Sequence, residues 1–155
     1  MKMKNQKLKI GIVLSLFFTL ILCGCPTADE EFVHDSNTIA QMMCRATKGG
    51  GSEFIADIFE FDKNEKPVLG EFTQEEVEGG YGIISFIVPA TLKDEIDLKN
   101  VYLVANLSWD QFISPSLSGR HNILWDETTD EGGIYITVTS GVGTKRPYRV
   151  IGHYN

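Results

Sequence analysis

The sequence contains few of the residues that most often carry catalytic or metal-binding chemistry. It has three cysteines and three histidines in 155 residues. The histidines, His34, His121 and His153, are too far apart in sequence to form a metal-binding motif. The motifs G-x-S-x-G, H-E-x-x-H and G-x-x-x-x-G-K-S/T are missing as well. The sequence therefore predicts no enzymatic activity, no metal site and no cofactor.

Basic residues are also scarce, and their distribution limits the choice of partner. The chain has 14 Lys and Arg against 21 Asp and Glu, for a net charge of −7. Four of the lysines lie within the first nine residues, so the chain without residues 1–24 has a net charge of −11. Binding to a phosphate backbone requires a basic surface. Nucleic acid is therefore not expected as a partner.

The sequence has one long apolar run, and this run is short for a membrane span. Residues 10–22, IGIVLSLFFTLIL, follow the basic start MKMKNQKLK. A helix of this length rises about 20 Å, whereas the hydrocarbon core of a bilayer is about 30 Å thick. A basic start, a short apolar segment and small residues after it are typical of a secretory signal peptide.

The end of the apolar run resembles the lipobox of bacterial lipoproteins. Cys25 follows Gly24, and Leu22 is three positions before it; Cys23 occupies the middle position, where a small residue is commoner. The resemblance implies that residues 1–24 are removed as a lipoprotein signal peptide. It also implies that Cys25 carries a thioether-linked lipid and an acylated amino group, which together anchor the chain stably in a membrane.

Three acidic residues, Asp29, Glu30 and Glu31, follow soon after Cys25. They resemble the export signal of Bacteroidota surface lipoproteins, which implies an outer-membrane protein that faces the cell exterior. The alternative is that they only solvate a tether. Residues 25–36 are predicted to form the lipidated cysteine and this acidic tether.

Residues 37–155 are predicted to form one all-β domain. Glycine- and aspartate-rich turns separate short apolar runs, and the chain shows no βαβ alternation, which together favour an antiparallel β-sandwich. Residues 91–100 could form either a helical turn or a charged loop, and Pro147 should lie at an edge or at the start of the last strand. Cys44, in an apolar run, should be a buried small hydrophobe. The predicted strands are residues 38–46, 54–61, 68–72, 81–88, 101–107 and 121–125, followed by a hairpin over residues 133–154.

Four segments of this domain resemble the Ig-like repeat of uncharacterised Bacteroidota lipoproteins. They are YGIISFIVP, LKNVYLVANLS, ISPSLSG and the closing ITVTSGVGTKRPYRV. The resemblance implies a single Ig-like antiparallel β-sandwich on the cell surface and supplies no catalytic residues. Members of this family often accompany outer-membrane glycan-uptake machinery, so the resemblance also raises the hypothesis of a carbohydrate ligand.

The candidate ligand-binding residues are two Trp–Asp pairs, Trp109–Asp110 and Trp125–Asp126. Both pairs follow strand-like runs, where loops are expected. A tryptophan beside a carboxylate can bind a sugar, because the ring stacks on C–H groups and the acid accepts hydroxyl hydrogens. Large aromatic side chains are usually buried, however, so the favoured expectation is that both tryptophans pack in the core.

Three function hypotheses follow from these features. The first is a non-catalytic, lipid-anchored surface lipoprotein that acts as a binding or adhesion module for a glycan or a surface protein. The second is a glycan-binding accessory lipoprotein of an outer-membrane carbohydrate-uptake system. The third is a pilin-like structural subunit, which would need an open groove with unpaired strand edges.

Overall fold

The computed structural model describes residues 34–48, 50–70, 73 and 78–155, and residues 33–155 form a compact unit. The predicted signal peptide, the predicted lipidation site Cys25 and the acidic residues Asp29, Glu30 and Glu31 lie outside the described residues. Within the described ranges, no helix has the length and apolarity needed to cross a bilayer.

Strands make up about half of the described residues and helix is almost absent, so this part of the chain is all-β, as predicted. Its one short helix is a 3₁₀ turn over Ala90–Leu92. The strands are β1 (Gln41–Thr47), β2 (Gly50–Ile55), β3 (Asp57–Phe61), β4 (Tyr81–Val88), β5 (Val101–Asn106), β6 (Phe112–Ser114), β7 (Arg120–His121), β8 (Trp125–Asp126), β9 (Glu131–Gly132), β10 (Ile134–Thr139) and β11 (Lys145–Tyr154).

These strands form a β-sandwich with one hydrophobic core. One sheet has the order β2-β1-β5-β7, the other has the order β3-β4-β11-β10-β6, and β8 pairs with β9 in a separate ribbon. Fully buried side chains from both sheets belong to a single cluster, for example Met42 and Cys44 from the first and Phe86 and Val138 from the second. The predicted all-β sandwich is therefore confirmed, and residues 33–155 contain a complete core of their own.

The run predicted as one strand over residues 54–61 belongs to both sheets. It passes from β2 in the first sheet to β3 in the second at Ala56, whose backbone N–H donates to the carbonyl of Met42 at 2.9 Å. An apolar run can supply inward side chains to either sheet, so its composition does not show where it changes partner.

One strand pair departs from the predicted antiparallel arrangement. The last strand, β11, pairs parallel with β4 from Tyr148 opposite Gly82 to Tyr154 opposite Val88. The two strands are distant in sequence, so no short turn forces them to run in opposite directions. Pro147 lies one residue before this pairing begins, so β11 is paired there with β10 but not with β4. A residue without a backbone donor is tolerated where one side of its strand is unpaired.

Two further segments differ in detail from their predictions. Residues 68–70 form no strand, although Pro67 makes a bridge to Phe61. After the 3₁₀ turn, residues 93–100 form turns that bury Ile96 and Leu98 completely, so this segment contributes to the core rather than forming only a charged loop. Cys44 is buried as predicted, and burial raises the pKa of its thiol to about 11.

A buried polar network lies inside the second sheet. The side chain of Arg146 is fully buried; its Nε donates to Asn37 Oδ1 at 3.0 Å and its Nη1 donates to the carbonyl of Phe61 at 3.0 Å. Glu60 Oε2 lies 3.4 Å from Nη1 of the same arginine. The Tyr148 hydroxyl donates to Glu60 Oε1 at 2.5 Å. The buried guanidinium therefore has both hydrogen-bond acceptors and a counter-charge.

Candidate functional site

The two predicted Trp–Asp pairs lie at opposite ends of β10 and β11. Asp110 packs against the turn between these strands, since a Cβ atom on Gly141 would lie 2.1 Å from its Oδ2. Trp125 pairs with Gly132, which precedes β10 at its other end. The six residues of β10 separate the two ends by about 17 Å. The structure therefore does not bring the two pairs together into one site.

Trp109 and Asp110 contact the chain where it joins the domain. Trp109 is 64% exposed, so the expectation that it packs in the core is wrong. It lies in the loop after β5, and the His34 ring meets its ring edge-on at a centroid distance of 5.8 Å. Asp110 Oδ2 accepts a hydrogen bond from the backbone N–H of His34 at 2.7 Å, which lowers the pKa of the Asp110 carboxyl. Asp110 therefore has a structural role, because it holds the backbone of His34 against the loop after β5.

Trp125 lies beside a surface cleft of about 650 Å³. The ring is half-buried and does not belong to the hydrophobic core of the described residues, so the expectation of core packing is wrong here too. A cleft of this size can accommodate a small molecule or a segment of an oligosaccharide. The other lining residues that bear polar groups are Lys99, Asn122, Asp126, Glu127, Thr128, Thr129, Glu131, His153 and Tyr154.

Three neighbouring side chains hold the Trp125 ring in one position. Its Nε1 donates to Asp130 Oδ1 at 3.1 Å, and the same oxygen accepts from Arg149 Nη1 at 2.8 Å. The Arg149 guanidinium lies 6.0 Å from the centre of the indole ring, and the His153 ring meets it edge-on at 6.4 Å. Arg149 does not line the cleft, whereas Trp125 does. The indole is therefore a rigid aromatic surface that needs little ordering when a ligand binds.

The turn after Trp125 places carboxylates around the cleft. Asp126 Oδ1 accepts hydrogen bonds from the backbone N–H of Thr128 at 2.8 Å and from its hydroxyl at 2.7 Å, and these bonds lower the pKa of Asp126. Glu131 lies directly opposite Asp126 in the β8–β9 ribbon. Both carboxylates line the cleft, which accordingly has an acidic rim.

Asp130 completes this turn in a backbone conformation that few residues adopt. Its φ of 54° lies in the left-handed region, where aspartate is better tolerated than most residues. Hydrogen bonds from Arg149 and Trp125 lower the pKa of the Asp130 carboxyl. It therefore remains ionised and keeps both neighbours in place.

Sequence reasoning identified Trp125 and Asp126 but missed Asp130, Arg149 and His153. The D-E-G-G segment signals a tight turn, and the alternation of β11 puts Arg149 and His153 on the same side of the strand. No sequence pattern shows that this side of β11 meets the β8–β9 ribbon. Among the residues that the structure describes, no group of three or more His, Cys, Asp or Glu side chains is arranged to hold a metal ion.

Comparison with known proteins gives little further information. No protein-family model and no curated protein matches the chain. A solved structure with detectable similarity is that of a "putative secreted protein" from Bacteroides fragilis, which is 12% identical. The alignment covers 78% of this chain and 97% of that one, with a TM-score of 0.39. Similarity at this level supports no inference about family or function.

Proposed function

We propose that this chain is a non-catalytic, lipid-anchored lipoprotein of the outer membrane that faces the cell exterior and binds a ligand in the Trp125 cleft. The observation that carries the binding function is the fixed indole ring at the edge of a 650 Å³ cleft. The membrane anchor rests on the lipobox at Cys25, and the outward orientation rests on the acidic residues that follow it.

A glycan is the ligand that the cleft favours among the hypotheses. Trp125 offers an apolar ring for the C–H groups of a sugar, while Asp126, Asn122 and Glu131 offer hydrogen-bond partners for its hydroxyl groups. A protein surface could also use an aromatic anchor, but it would need a larger uncharged contact area than this cleft with its acidic rim provides.

The carboxylate of Asp126 is better suited to binding than to acid catalysis. Asp126 and Glu131 lie opposite each other, and glycoside-cleaving sites also use a pair of facing carboxyl groups. A general acid that works near neutral pH needs a raised pKa, whereas the pKa of Asp126 is lowered by its hydrogen bonds to Thr128. Asp126 therefore favours the ionised, hydrogen-bond-accepting state.

Three of the four edges of the two described sheets give the pilin-like alternative little support; the fourth, β2, has six residues. Two of the four edges are short, with three residues in β6 and two in β7. At a third edge, β3, the backbone carbonyl of Glu60 already accepts a hydrogen bond from Val68 at 2.9 Å. A donated strand needs a long run of unpaired backbone groups.

The anchor can be tested by replacing Cys25 with serine in the full chain. The wild-type protein should partition into the detergent phase of a Triton X-114 extraction, because acyl chains on Cys25 make it amphiphilic. The Cys25→Ser protein should stay in the aqueous phase or persist as an uncleaved precursor. Equal partitioning of processed wild-type and variant proteins would disprove lipidation at this residue.

The binding site can be tested on a glycan array with a soluble protein of residues 32–155, which includes the complete core. Trp125→Ala should abolish the signal of any glycan that the wild-type protein binds. Trp109→Ala is the control, because Trp109 is an exposed tryptophan that lies at the opposite end of β10. A signal that survives Trp125→Ala and disappears with Trp109→Ala would refute the assignment of the cleft.

A further inference from the structure

The outer face of the five-stranded sheet carries aromatic and apolar side chains in two adjoining cross-strand rows. In the first row, Phe61 lies opposite Tyr81. Pro147 continues this row on β11, one residue before the pairing of Tyr148 with Gly82. In the second row, Phe59 lies opposite Ile83, Ile83 lies opposite Arg149, and Arg149 lies opposite Tyr135. Phe59 is 51% exposed and Tyr135 is 68% exposed, so the rows are open to solvent.

A groove of about 310 Å³ lies between Tyr81 and Tyr135 on this face. Ile83 and Pro147 also line it, and we call it the tyrosine groove. Phe61 stacks on Tyr81 with a centroid distance of 4.9 Å and an angle of 14° between the rings. Phe61 does not line the groove, so it covers one face of Tyr81 and leaves the other face toward the groove.

Arg149 connects the tyrosine groove with the Trp125 cleft. Its guanidinium lies 5.8 Å from the centre of the Tyr135 ring and 6.0 Å from the centre of the Trp125 ring. The two rings are therefore within about 12 Å of each other, and both are neighbours of one guanidinium. Asp130 fixes that side chain through Oδ1 and through its backbone carbonyl, at 2.8 and 2.9 Å.

We propose that the Trp125 cleft and the tyrosine groove are parts of one extended site for a linear, neutral glycan chain. The proposal rests on the function proposed above and specifies its ligand. Successive sugar rings stack on Trp125, Tyr135 and Tyr81, and the glycan crosses β11 at Arg149. The site therefore recognises an internal stretch of several sugar units rather than a single terminal sugar.

The size of the tyrosine groove favours a glycan over a protein partner. Tyr81 and Tyr135 are on strands that flank β11, which places them about 10 Å apart across the sheet. The rows extend about 7 Å along the strands, so the whole platform covers far less than the roughly 800 Å² per partner of a stable protein interface. Flat rings on a narrow platform instead match the C–H faces of sugar rings.

The charges around the extended site favour a neutral chain. The cleft is lined by three carboxylates, those of Asp126, Glu127 and Glu131, and by the single ammonium group of Lys99. Its net negative charge would repel carboxylate or sulfate groups of an acidic glycan. The cation at the centre, Arg149, is already paired with Asp130 and so offers little attraction to an anionic sugar. Polar contacts to hydroxyl groups remain available from the rim of the cleft.

Chain-length dependence of binding tests this proposal directly. Isothermal titration of residues 32–155 is carried out with the disaccharide and the hexasaccharide of the cellulose, xylan, mannan, laminarin, chitin and maltose series. At least one hexasaccharide should bind ten times or more tightly than its disaccharide. Tyr135→Ala should weaken binding of that hexasaccharide by roughly three- to tenfold, the value of one aromatic contact, and leave binding of the disaccharide within twofold.

Three controls make the result specific to the tyrosine groove. Tyr135→Phe keeps the ring and should bind as the wild type does. Tyr102→Ala removes a tyrosine whose ring lies against Arg120 on β7 in the other sheet, 4.7 Å from the guanidinium carbon, and should have no effect. Circular dichroism of each variant checks the fold, and Tyr135 is exposed enough for its replacement to leave the core intact.

The possible outcomes separate this proposal from the function on which it rests. Glycan binding that Trp125→Ala abolishes but that shows neither chain-length dependence nor sensitivity to Tyr135→Ala would overturn the extended site and leave the cleft as a binding site. Failure of every hexasaccharide to bind would overturn both. Reversible dimerisation in light scattering that Tyr135→Ala abolishes would show that a second copy of the chain covers the groove, which also overturns the proposal.

Discussion

Replacing Glu60 with glutamine should change how the stability of the domain depends on pH. The Glu60 side chain is 10% exposed, accepts a hydrogen bond from Tyr148 and lies 3.4 Å from Arg146 Nη1. Burial raises the pKa of Glu60 to about 6, from an ordinary value of 4.5, because desolvation of the carboxylate outweighs the Tyr148 hydrogen bond and the attraction of Arg146. The folded state thus binds the Glu60 proton more tightly than the unfolded state does.

The direction and size of the effect follow from this difference. A raised pKa in the folded state gives a contribution to stability that is fully present below about pH 4.5. This contribution is lost as the pH rises through about 6. A difference of about 1.5 pKa units corresponds to about 2 kcal/mol in the free energy of unfolding. Glutamine cannot ionise, so the Glu60→Gln variant does not have this contribution. Its stability therefore does not fall through the titration of residue 60.

The assay is urea denaturation of residues 32–155, followed by tryptophan fluorescence, at half-unit steps from pH 4.5 to 7.5. The free energy of unfolding of the wild type minus that of Glu60→Gln should fall by about 2 kcal/mol across this range. The subtraction removes the titrations that both proteins share. The lowered pKa values of Asp62, Asp110, Asp126 and Asp130 act with the opposite sign and at lower pH.

Two results would refute this reasoning. A difference that stays constant from pH 4.5 to 7.5 would mean that Glu60 has the same pKa in the folded and unfolded states, and hence that burial does not outweigh the Tyr148 hydrogen bond and the attraction of Arg146. A difference that rises with pH would mean that the attraction of Arg146 exceeds the cost of burial, which would reverse the stated order of causes.

Three further predictions concern the export signal, the buried thiol and a glycine. Replacing residues 29–31 with alanine should retain the protein on the periplasmic side, where protease added to whole cells cannot remove it. Removal of the variant by protease would contradict the assignment of these residues as an export signal. Cys44 should react with DTNB at pH 8 at least 100 times more slowly in the folded than in the urea-unfolded protein, because burial raises the pKa of its thiol to about 11 and blocks access; equal rates would show an open site. Gly132→Ala should destabilise the domain by about 2–4 kcal/mol in urea denaturation, because φ is 98° and the new Cβ would lie 2.2 Å from the carbonyl oxygen of Leu124. Gly143→Ala, with φ of 88° and no atom within 4 Å of the new Cβ, is the matched control and should cost only about 1 kcal/mol.

The strands that were predicted best are those whose pattern depends on local sequence alone. The run at residues 81–88 matches β4 at both ends, and the alternation in β10 correctly places Ile136 and Val138 in the core. Local patterns cannot show which strands become neighbours. The parallel pairing of β11 with β4 and the change of sheet at Ala56 depend on contacts between distant segments, and neither was predicted.

Arg146 shows the same limit for a single side chain. In the sequence it belongs to the basic pair Lys145–Arg146, which suggests an exposed turn. The alternation of β11 gives Arg146 the same inward orientation as Tyr148 and Val150, and the structure buries all three. Burial of a guanidinium is tolerable only with partners, and Glu60 is 86 positions away in the chain. The candidate site is similar, since Trp125 was identifiable but its distant partner Arg149 was not.

The hydrogen bonds at the beginning of the domain determine which end of it is held. His34 donates its backbone N–H to Asp110, its carbonyl accepts from Val142 at 3.3 Å, and the carbonyl of Asp35 accepts from the Thr144 hydroxyl at 2.9 Å. Any force transmitted from upstream residues therefore acts on the loop end that contains Trp109. If the chain is anchored at Cys25 as proposed, the end of the domain that contains Trp125 is the one farther from the point at which the chain enters the domain.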